Sequence, residues 1–382
     1  MDSINQSMFL NTTEEQEKIN RAKKYSKTNQ IISVFETILF FGIVIFLLFS
    51  GLSKIIESFA FDITSNPYLA LLIFFAVIGI AEMIISFPLS FYSEYYLEHK
   101  YNLSNQNLKT YFTEKAKGLL LGLVLGIPLL LAFYFILRNF GESWWMITGT
   151  FMFFVSVILG RLAPTLIMPL FYKFKPLENE EIKESILNLC KKAGVQIKGI
   201  FSFDMSKNTK KANAAFTGMG KSKRIILGDT LLNNFTKEEI EMVFSHEMGH
   251  YKKRHILKLL TLSTVLTFGG LYVTSLLYNN SLGYFGFTSI SELAALPLLF
   301  LYLSIFGLVT SPISNILSRK FEWEADTFAL ETTGNNSAFV SAMEKLADQN
   351  LSDKSPNKVI EFLFHSHPSI EKRIQFARNF RI

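Results

Sequence analysis

A chain of 382 residues has room for more than one domain, and 49% of it is hydrophobic, with 38 phenylalanines. Only 18% is charged, a balance that excludes an ordinary soluble enzyme and points to membrane-spanning segments. The single cysteine, Cys190, excludes an internal disulfide and reads as a small buried hydrophobe; the net charge of +6 needs no nucleic-acid partner once its placement along the chain is seen.

The chain opens on "MDSINQSMFLNTTEEQEKINRAKKYSKTNQ", which is polar and lacks the apolar core and cleavage site of a signal peptide. Six apolar runs follow, at about 34–52, 68–92, 118–137, 144–168, 256–278 and 293–317. Crossing a bilayer of about 30 Å takes roughly 20 helical residues, so each run predicts a transmembrane helix. Lysines and arginines collect in alternate connections: Lys18, Arg21, Lys23, Lys24 and Lys27 before the first run, Lys100, Lys109, Lys115 and Lys117 after the second. Lys173 and Lys175 follow the fourth, Lys252, Lys253 and Arg254 precede the fifth, and Arg319 and Lys320 follow the sixth. Positive-inside bias then puts both termini in the cytoplasm.

The expected organisation is a cytosolic segment (1–33), a four-helix membrane region (34–172), a cytosolic region (173–255), a membrane hairpin (256–317) and a second cytosolic region (318–382). Glu36, Glu82 and Arg161 fall inside apolar runs and are expected to line a wet cavity, or, for Glu36, to sit at the interface. Pro88, Pro164, Pro297 and Pro312 are expected to bend their helices.

The region 173–255 predicts a small α+β unit. "LENEEIKESILNLCKKAG" has helical period, "VQIKGIFSFDM" reads as a strand, and "ANAAFTGMG" and "KRIILGD" read as two more joined by a Gly/Ser/Lys turn. Lys207, Lys210, Lys211, Lys221, Lys223 and Arg224 form a basic cluster, read either as cytosolic charge bias or as a contact for anionic headgroups. Thr236, with Glu239 three residues on, makes a capping box that starts a helix over "TKEEIEMVFSHEMGHYKKRH".

On that helix His246 and His250 lie one turn apart on one face, spaced to grip one zinc ion. Glu247 lies on the adjacent face, within reach of a water beside the metal, as general base and then proton donor to the leaving amine. A catalytic zinc needs a third protein ligand, expected from another helix on the same side of the membrane. "SRKFEWEADTFAL" at 318–330 offers Glu322 and Asp326 on one side of an apolar face and Glu324 on the other. Periodicity does not choose between the glutamates. Glu322 is preferred because Asp326, one turn on, can hold a ligand imidazole by its second nitrogen.

With these motifs together the sequence resembles the M48 metallopeptidases, and within them is most similar to the type I CAAX prenyl proteases, the Ste24-like group. "RAKKYSKTNQ" with its flanking Arg21, "PTLIMPLFYKFKPL", "NAAFTGMGKSKRIILGDTLL", HEMGH, "SRKFEWEAD" and "HSHPSIEKRIQF" carry the resemblance over nearly the whole chain. It implies an α-helical integral membrane protein of about six transmembrane helices with a small α+β zincin-like cytosolic catalytic domain. It implies one zinc per chain on His246, His250 and Glu322, Glu247 as catalytic base and a supporting role for Asp326. Asn213 and His367 are implied as substrate contacts, with Arg373 as the basic partner of the His-Pro motif. An edge strand at Asn213 would pair with an extended peptide, and His367 would help hold the oxyanion.

Family members from eukaryotes carry a further span before the "RAKKYSK"-like segment, so six spans are expected here, which favours a bacterial plasma membrane over an endoplasmic reticulum membrane. The implied partners are membrane lipids and a peptide or protein substrate, prenylated or otherwise membrane-associated, cut near its C-terminus. HtpX-like quality control of membrane proteins is the alternative among enzymes, and a catalytically silent membrane scaffold the alternative of another class.

Overall fold

Two large hydrophobic clusters, one at each end of a set of long helices, organise the computed structural model, which describes residues 2–217 and 224–381, with side chains from Glu14 onward. Among the described residues six helices are long and apolar enough to cross a bilayer: Glu14–Phe49, Pro67–Lys100, Leu108–Asn139, Gly141–Phe171, His255–Phe285 and Leu293–Thr333. They correspond to the six apolar runs of the sequence.

The first helix, α1 (Asp2–Phe49), stops at Gly51, whose φ of 75° is a left-handed turn that suits glycine. The short amphipathic α2 (Leu52–Ile63) follows. At 12 residues it is too short to span, and it lies across the end of the bundle distant from the sheet. Asn66 caps α3 (Pro67–Phe91), which runs through a wide helical turn at Tyr92–Leu97 into α4 (Glu98–Lys100). Next come α5 (Leu108–Asn139) and α6 (Trp144–Leu162). A second wide turn at Ala163–Ile167 holds Pro164, which lacks the N–H that a regular ladder needs, and leads into α7 (Met168–Phe171).

At the far end, Leu71, Phe74, Leu137, Trp144, Tyr278 and the run Leu293–Leu299 pack into one core that ties the spans together. Between that core and the sheet, span residues such as Ile84, Leu120, Val124, Phe154, Val265 and Val309 remain largely accessible. Glu36, Glu82 and Arg161 are all exposed there.

The α+β unit is built from β1 (Phe174–Pro176), α8 (Glu180–Lys192), β2 (Gly199–Phe203), β3 (Ala214–Thr217), β4 (Arg224–Gly228), α9 (Asp229–Asn234) and α10 (Lys237–Lys252). The strand order is β1-β2-β4-β3. β2 and β4 are parallel, with Gly199 opposite Arg224, and the outer two strands are antiparallel to their neighbours. Among the described residues β3 pairs only with β4 and so leaves one edge free. The three strands expected from the sequence are present, and β1 was not foreseen. Asn213 sits one residue before β3, although its carbonyl still accepts the Gly228 N–H at 2.9 Å and continues the ladder.

The basic cluster is largely used within the protein. Lys207 donates to the Phe171 carbonyl, Lys210 to Asn102 at 2.9 Å, and Lys211 to Tyr25 and Glu98 at 3.0 Å each. Arg224 lies over the Phe201 ring. Lys221 and Lys223, with the turn joining β3 to β4, lie outside the described residues.

Beneath the sheet, α10 buries Ile240, Phe244 and Met248 against Ile225, Leu227 and Leu231. Each such side chain contributes about 1.5–3 kcal/mol when fully buried. After α11 (His255–Ser281), α12 (Leu296–Thr333) runs unbroken from the far-end core to the sheet end; Pro312 lies inside it without ending it. The segment 318–330 is thus the continuation of the sixth span rather than a separate helix. Three short helices close the chain: α13 (Asn336–Gln349), α14 (Lys358–Phe364) and α15 (Ile370–Asn379).

Helices α10 and α12 cross at Gly249. A methyl group there would stand 3.0 Å from Ala325 Cα and 3.2 Å from the Ala325 carbonyl, both backbone atoms that cannot swing aside. Gly249→Ala is therefore expected to push the two helices apart by a few tenths of an ångström at a cost of about 1–3 kcal/mol. Thermal unfolding in detergent should show the loss, with helix content by circular dichroism unchanged.

Candidate active site

Both motif histidines owe their position to the start of α10. The Thr236 hydroxyl accepts the Glu239 N–H at 3.4 Å, and the Glu239 carboxylate accepts the Thr236 N–H at 2.7 Å, a complete capping box. Lys345 Nζ, 2.7 Å from Glu239, pins this turn to α13. From that start, helical period turns His246 and His250 toward α12.

There the Nε2 atoms of His246 and His250 stand 3.1 Å apart. Glu322 Oε2 is 3.4 Å from His246 Nε2, and Glu322 Oε1 is 3.3 Å from His250 Nε2. A tetrahedral zinc with bonds of about 2.0–2.1 Å has ligand atoms about 3.3–3.4 Å apart. The two imidazoles and the two Glu322 oxygens make pairwise contacts of that size, and one donor atom from each of the three residues lies within 4.8 Å of the others. Two further observations fit a cation. Glu322 Oε2 is buried without an aligned hydrogen-bond donor, although His367 Nδ1 is only 2.9 Å away. The enclosure also gathers three carboxyl groups, Glu247, Glu322 and Asp326, around one guanidinium, Arg373.

The second nitrogen of His246 is held as well. Its Nδ1 lies 2.8 Å from Asp326 Oδ1, and Asp326 is fully buried. Arg373 grips that carboxylate in two places, Nε to Oδ2 at 2.8 Å and Nη2 to Oδ1 at 2.6 Å. Burial pulls the His246 imidazole down, but the Asp326 and Glu322 carboxylates outweigh it and push it up to about 9. A cation at Nε2 would displace that proton.

Glu247, Asn213, His367 and Arg373 line one cleft of about 750 Å³. Burial raises the Glu247 carboxyl above its usual range, while His246 and His250 draw it back. His367 is exposed at the rim, and the segment before it is held by Arg319, which donates to the carbonyls of Glu361 at 2.9 Å and His365 at 2.6 Å. Ala212, Asn213 and Ala214 form the wall at the free edge of the sheet, and Tyr25, Asn29 and Ser33 of α1 line the cleft as well.

The sequence reading passed over His255. It is buried at the start of α11, with Nδ1 3.0 Å from His250 Nδ1 and Nε2 3.0 Å from Glu324 Oε2. A third histidine soon after the pair, at the mouth of a membrane span, was the available signal. Glu324, left open beside Glu322 by periodicity, turns to His255 and away from the donor triangle.

Comparison with known proteins gives the family. Residues 176–381 match the model of peptidase family M48, and residues 8–173 match that of the CAAX prenyl protease N-terminal region, described as five membrane helices. The chain belongs to peptidase family M48. It is 32% identical over 372 residues to a CAAX prenyl protease 1 homolog of Dictyostelium discoideum, covering 94% of this chain and 86% of that one. An uncharacterized metalloprotease of Bacillus subtilis, YhfN, is 30% identical over 360 residues, covering 93% of this chain and 84% of its own. The crystal structure of S. mikatae Ste24p superposes with a TM-score of 0.84 at 29% identity, covering 95% of this chain and 89% of that one. This M48 peptidase is thus a multi-pass membrane zinc metalloendopeptidase of the Ste24 type. Over residues 8–173 it has four spanning helices and the short α2.

If Asp326 orients His246 for a metal, Asp326→Asn should weaken zinc binding by about 10–100-fold. Competition against a chelator of known affinity measures the change.

Proposed function

We propose that the metal is a single zinc ion held by His246, His250 and Glu322, and that Glu247, Asn213 and His367 perform peptide hydrolysis around it. The observation that carries this reading is the gathering of His246 Nε2, His250 Nε2 and the Glu322 carboxylate, one donor atom from each within 4.8 Å of the others, next to the cleft that Glu247 lines. When bound, zinc supplies a Lewis acid that polarises a carbonyl and lowers the pKa of water toward about 7.

The protein's own groups do the rest. A substrate in extended conformation adds as a strand along the free edge at Asn213 and Ala214, which fixes the scissile bond over Glu247. The Glu247 carboxylate, its basicity increased by burial, takes the proton of the attacking water and delivers it to the leaving amine. His367, at the rim and able to donate a hydrogen bond, stabilises the developing oxyanion. Asp326, held by Arg373, keeps the His246 proton on Nδ1 and leaves Nε2 free. Arg373 lines the cleft, but its Nε and Nη2 are committed to Asp326, so its contribution is to hold the ligand set.

The substrate class in this reading is a prenylated or otherwise membrane-associated peptide cut near its C-terminus; that relatives are named CAAX prenyl protease 1 supports the prenylated member of that class. In this reading residues 34–172 and 256–317 lie in the bacterial plasma membrane, and 173–255 and 318–382 form the cytoplasmic catalytic part. Cleavage of a farnesylated CAAX peptide well above its unlipidated counterpart is the expected result. Preferential cleavage of an unlipidated, misfolded membrane protein would instead assign the chain to quality control.

Purified chain should carry about one zinc ion, with cleavage lost on chelation. Glu247→Gln should leave the zinc content unchanged and lower kcat by about 10²–10⁴-fold. Persistence of the in vivo phenotype in Glu247→Gln would mark a scaffold and not an enzyme.

A further inference from the structure

Each metal-facing imidazole has a second nitrogen that must be held, and the two are held differently. His246 leans directly on Asp326, whereas no carboxylate is bonded to His250 Nδ1. Instead His250 Nδ1 faces the Nδ1 of another histidine, His255, at 3.0 Å, and His255 Nε2 lies 3.0 Å from Glu324 Oε2. We propose that His255, oriented by Glu324, is a positioning residue that fixes the tautomer and ring angle of His250, so that the His250 Nε2 lone pair faces the metal; this rests on the ligand set given under Proposed function.

The proton count leaves one arrangement. A carboxylate accepts hydrogen bonds only, so His255 must present N–H to Glu324 from Nε2. In the neutral ring Nδ1 is then a bare acceptor. The only hydrogen that can lie between the two Nδ1 atoms is therefore the one on His250. With its proton on Nδ1, His250 has a free lone pair on Nε2, as cation binding requires. The opposite arrangement would aim an N–H from His250 Nε2 at His246 Nε2, 3.1 Å away, and would close the site to a cation.

The ring of His255 is fixed by packing as well as by hydrogen bonds. It is 1% exposed and stacks on Phe321, with centroids 4.3 Å apart and planes within 7°. Phe321 immediately precedes Glu322, so the ring that orients one ligand rests against the neighbour of another. Arg254, at φ 56°, makes the turn between α10 and α11 that brings His255 back beneath His250. A left-handed conformation at a bulky residue is sparsely populated, and here the hydrogen bonds on either side hold it.

Three variants at one position separate orientation from packing. His255→Phe keeps an aromatic ring against Phe321 and removes the acceptor. His255→Asn can place its amide oxygen where Nδ1 stood, and His255→Gln places its amide where Nε2 stood. Zinc affinity and zinc release rate are measured on full-length protein in detergent by chelator competition, with the visible spectrum of the cobalt(II)-loaded protein as a report on ligand geometry. The expected result is a loss of about 10–100-fold in affinity and faster release for His255→Phe and His255→Gln, with a smaller loss for His255→Asn, which keeps the acceptor but gives up the bond to Glu324. Glu324→Ala should weaken binding in the parent and have no further effect in His255→Phe.

Affinity kept in His255→Phe, a loss in His255→Asn as large as in His255→Phe, or an equal effect of Glu324→Ala in both backgrounds would overturn the relay. A parent protein that binds zinc tightly while Glu322→Gln leaves that affinity unchanged would instead overturn the ligand set itself.

Discussion

The close crossing of α10 and α12 at Gly249 is the constraint on which the rest of the site depends. Two helices meet with backbone against backbone, which only glycine permits here. That approach lets a short glutamate side chain from one helix reach two imidazoles on the other. It also seals Asp326 completely, so that its charge must be met by Arg373 and the His246 N–H and cannot be met by water. Replacing any member by an apolar group would leave the others as unpaired buried charges, the costly half of a buried ion pair.

Because α12 is one continuous helix from the far-end core to Thr333, the membrane bundle and the site are mechanically a single object. The same helix holds the approach to His367 through Arg319, and Asn315 donates to the Leu363 carbonyl at 2.7 Å. The sheet is tied to the bundle on its other side. Tyr25 of α1, Glu98 of α4 and Lys211 form a hydrogen-bonded knot, and Asn350 holds the Ala212 N–H at 2.8 Å. Asn213 thus lies between a fixed residue and the ladder bond to Gly228. An edge strand that is to receive a peptide needs this order in advance, since ordering it on binding would cost roughly 1–2 kcal/mol per residue.

Much of this was legible because it depends on local pattern. Apolar runs long enough to span gave the six helices, the Thr236–Glu239 pair gave the start of α10, and helical spacing put His246 and His250 on one face. What stayed hidden depends on tertiary contact. The change to polar composition at 318 marks the end of the apolar run but not of the helix, which continues as long as its hydrogen bonds do. The three residues of β1, ending in Pro176, carry no alternation to read. The free edge of β3 follows from a strand order that no residue pattern states. The basic cluster was read as charge bias or as a headgroup contact, and neither reading showed that Lys207, Lys210 and Lys211 reach partners far away in sequence.

The division between Glu322 and Glu324 shows the limit most clearly. Two residues apart on α12, they point to opposite flanks, and periodicity treats them alike. Their partners separate them: Glu322 meets the two Nε2 atoms, Glu324 meets His255 Nε2. Glu322, Glu324 and Asp326 are thus three carboxylates within two turns of one helix, each facing a different imidazole edge. Two hold the rings of His246 and His250 from behind, one directly and one through His255, and the third faces both Nε2 atoms. A helix emerging rigidly from a membrane can set all three at once, which a loop could do only at a larger cost in conformational entropy. That arrangement explains why the donor triangle is so nearly closed: the protein has fixed the orientation of each ring before any cation arrives.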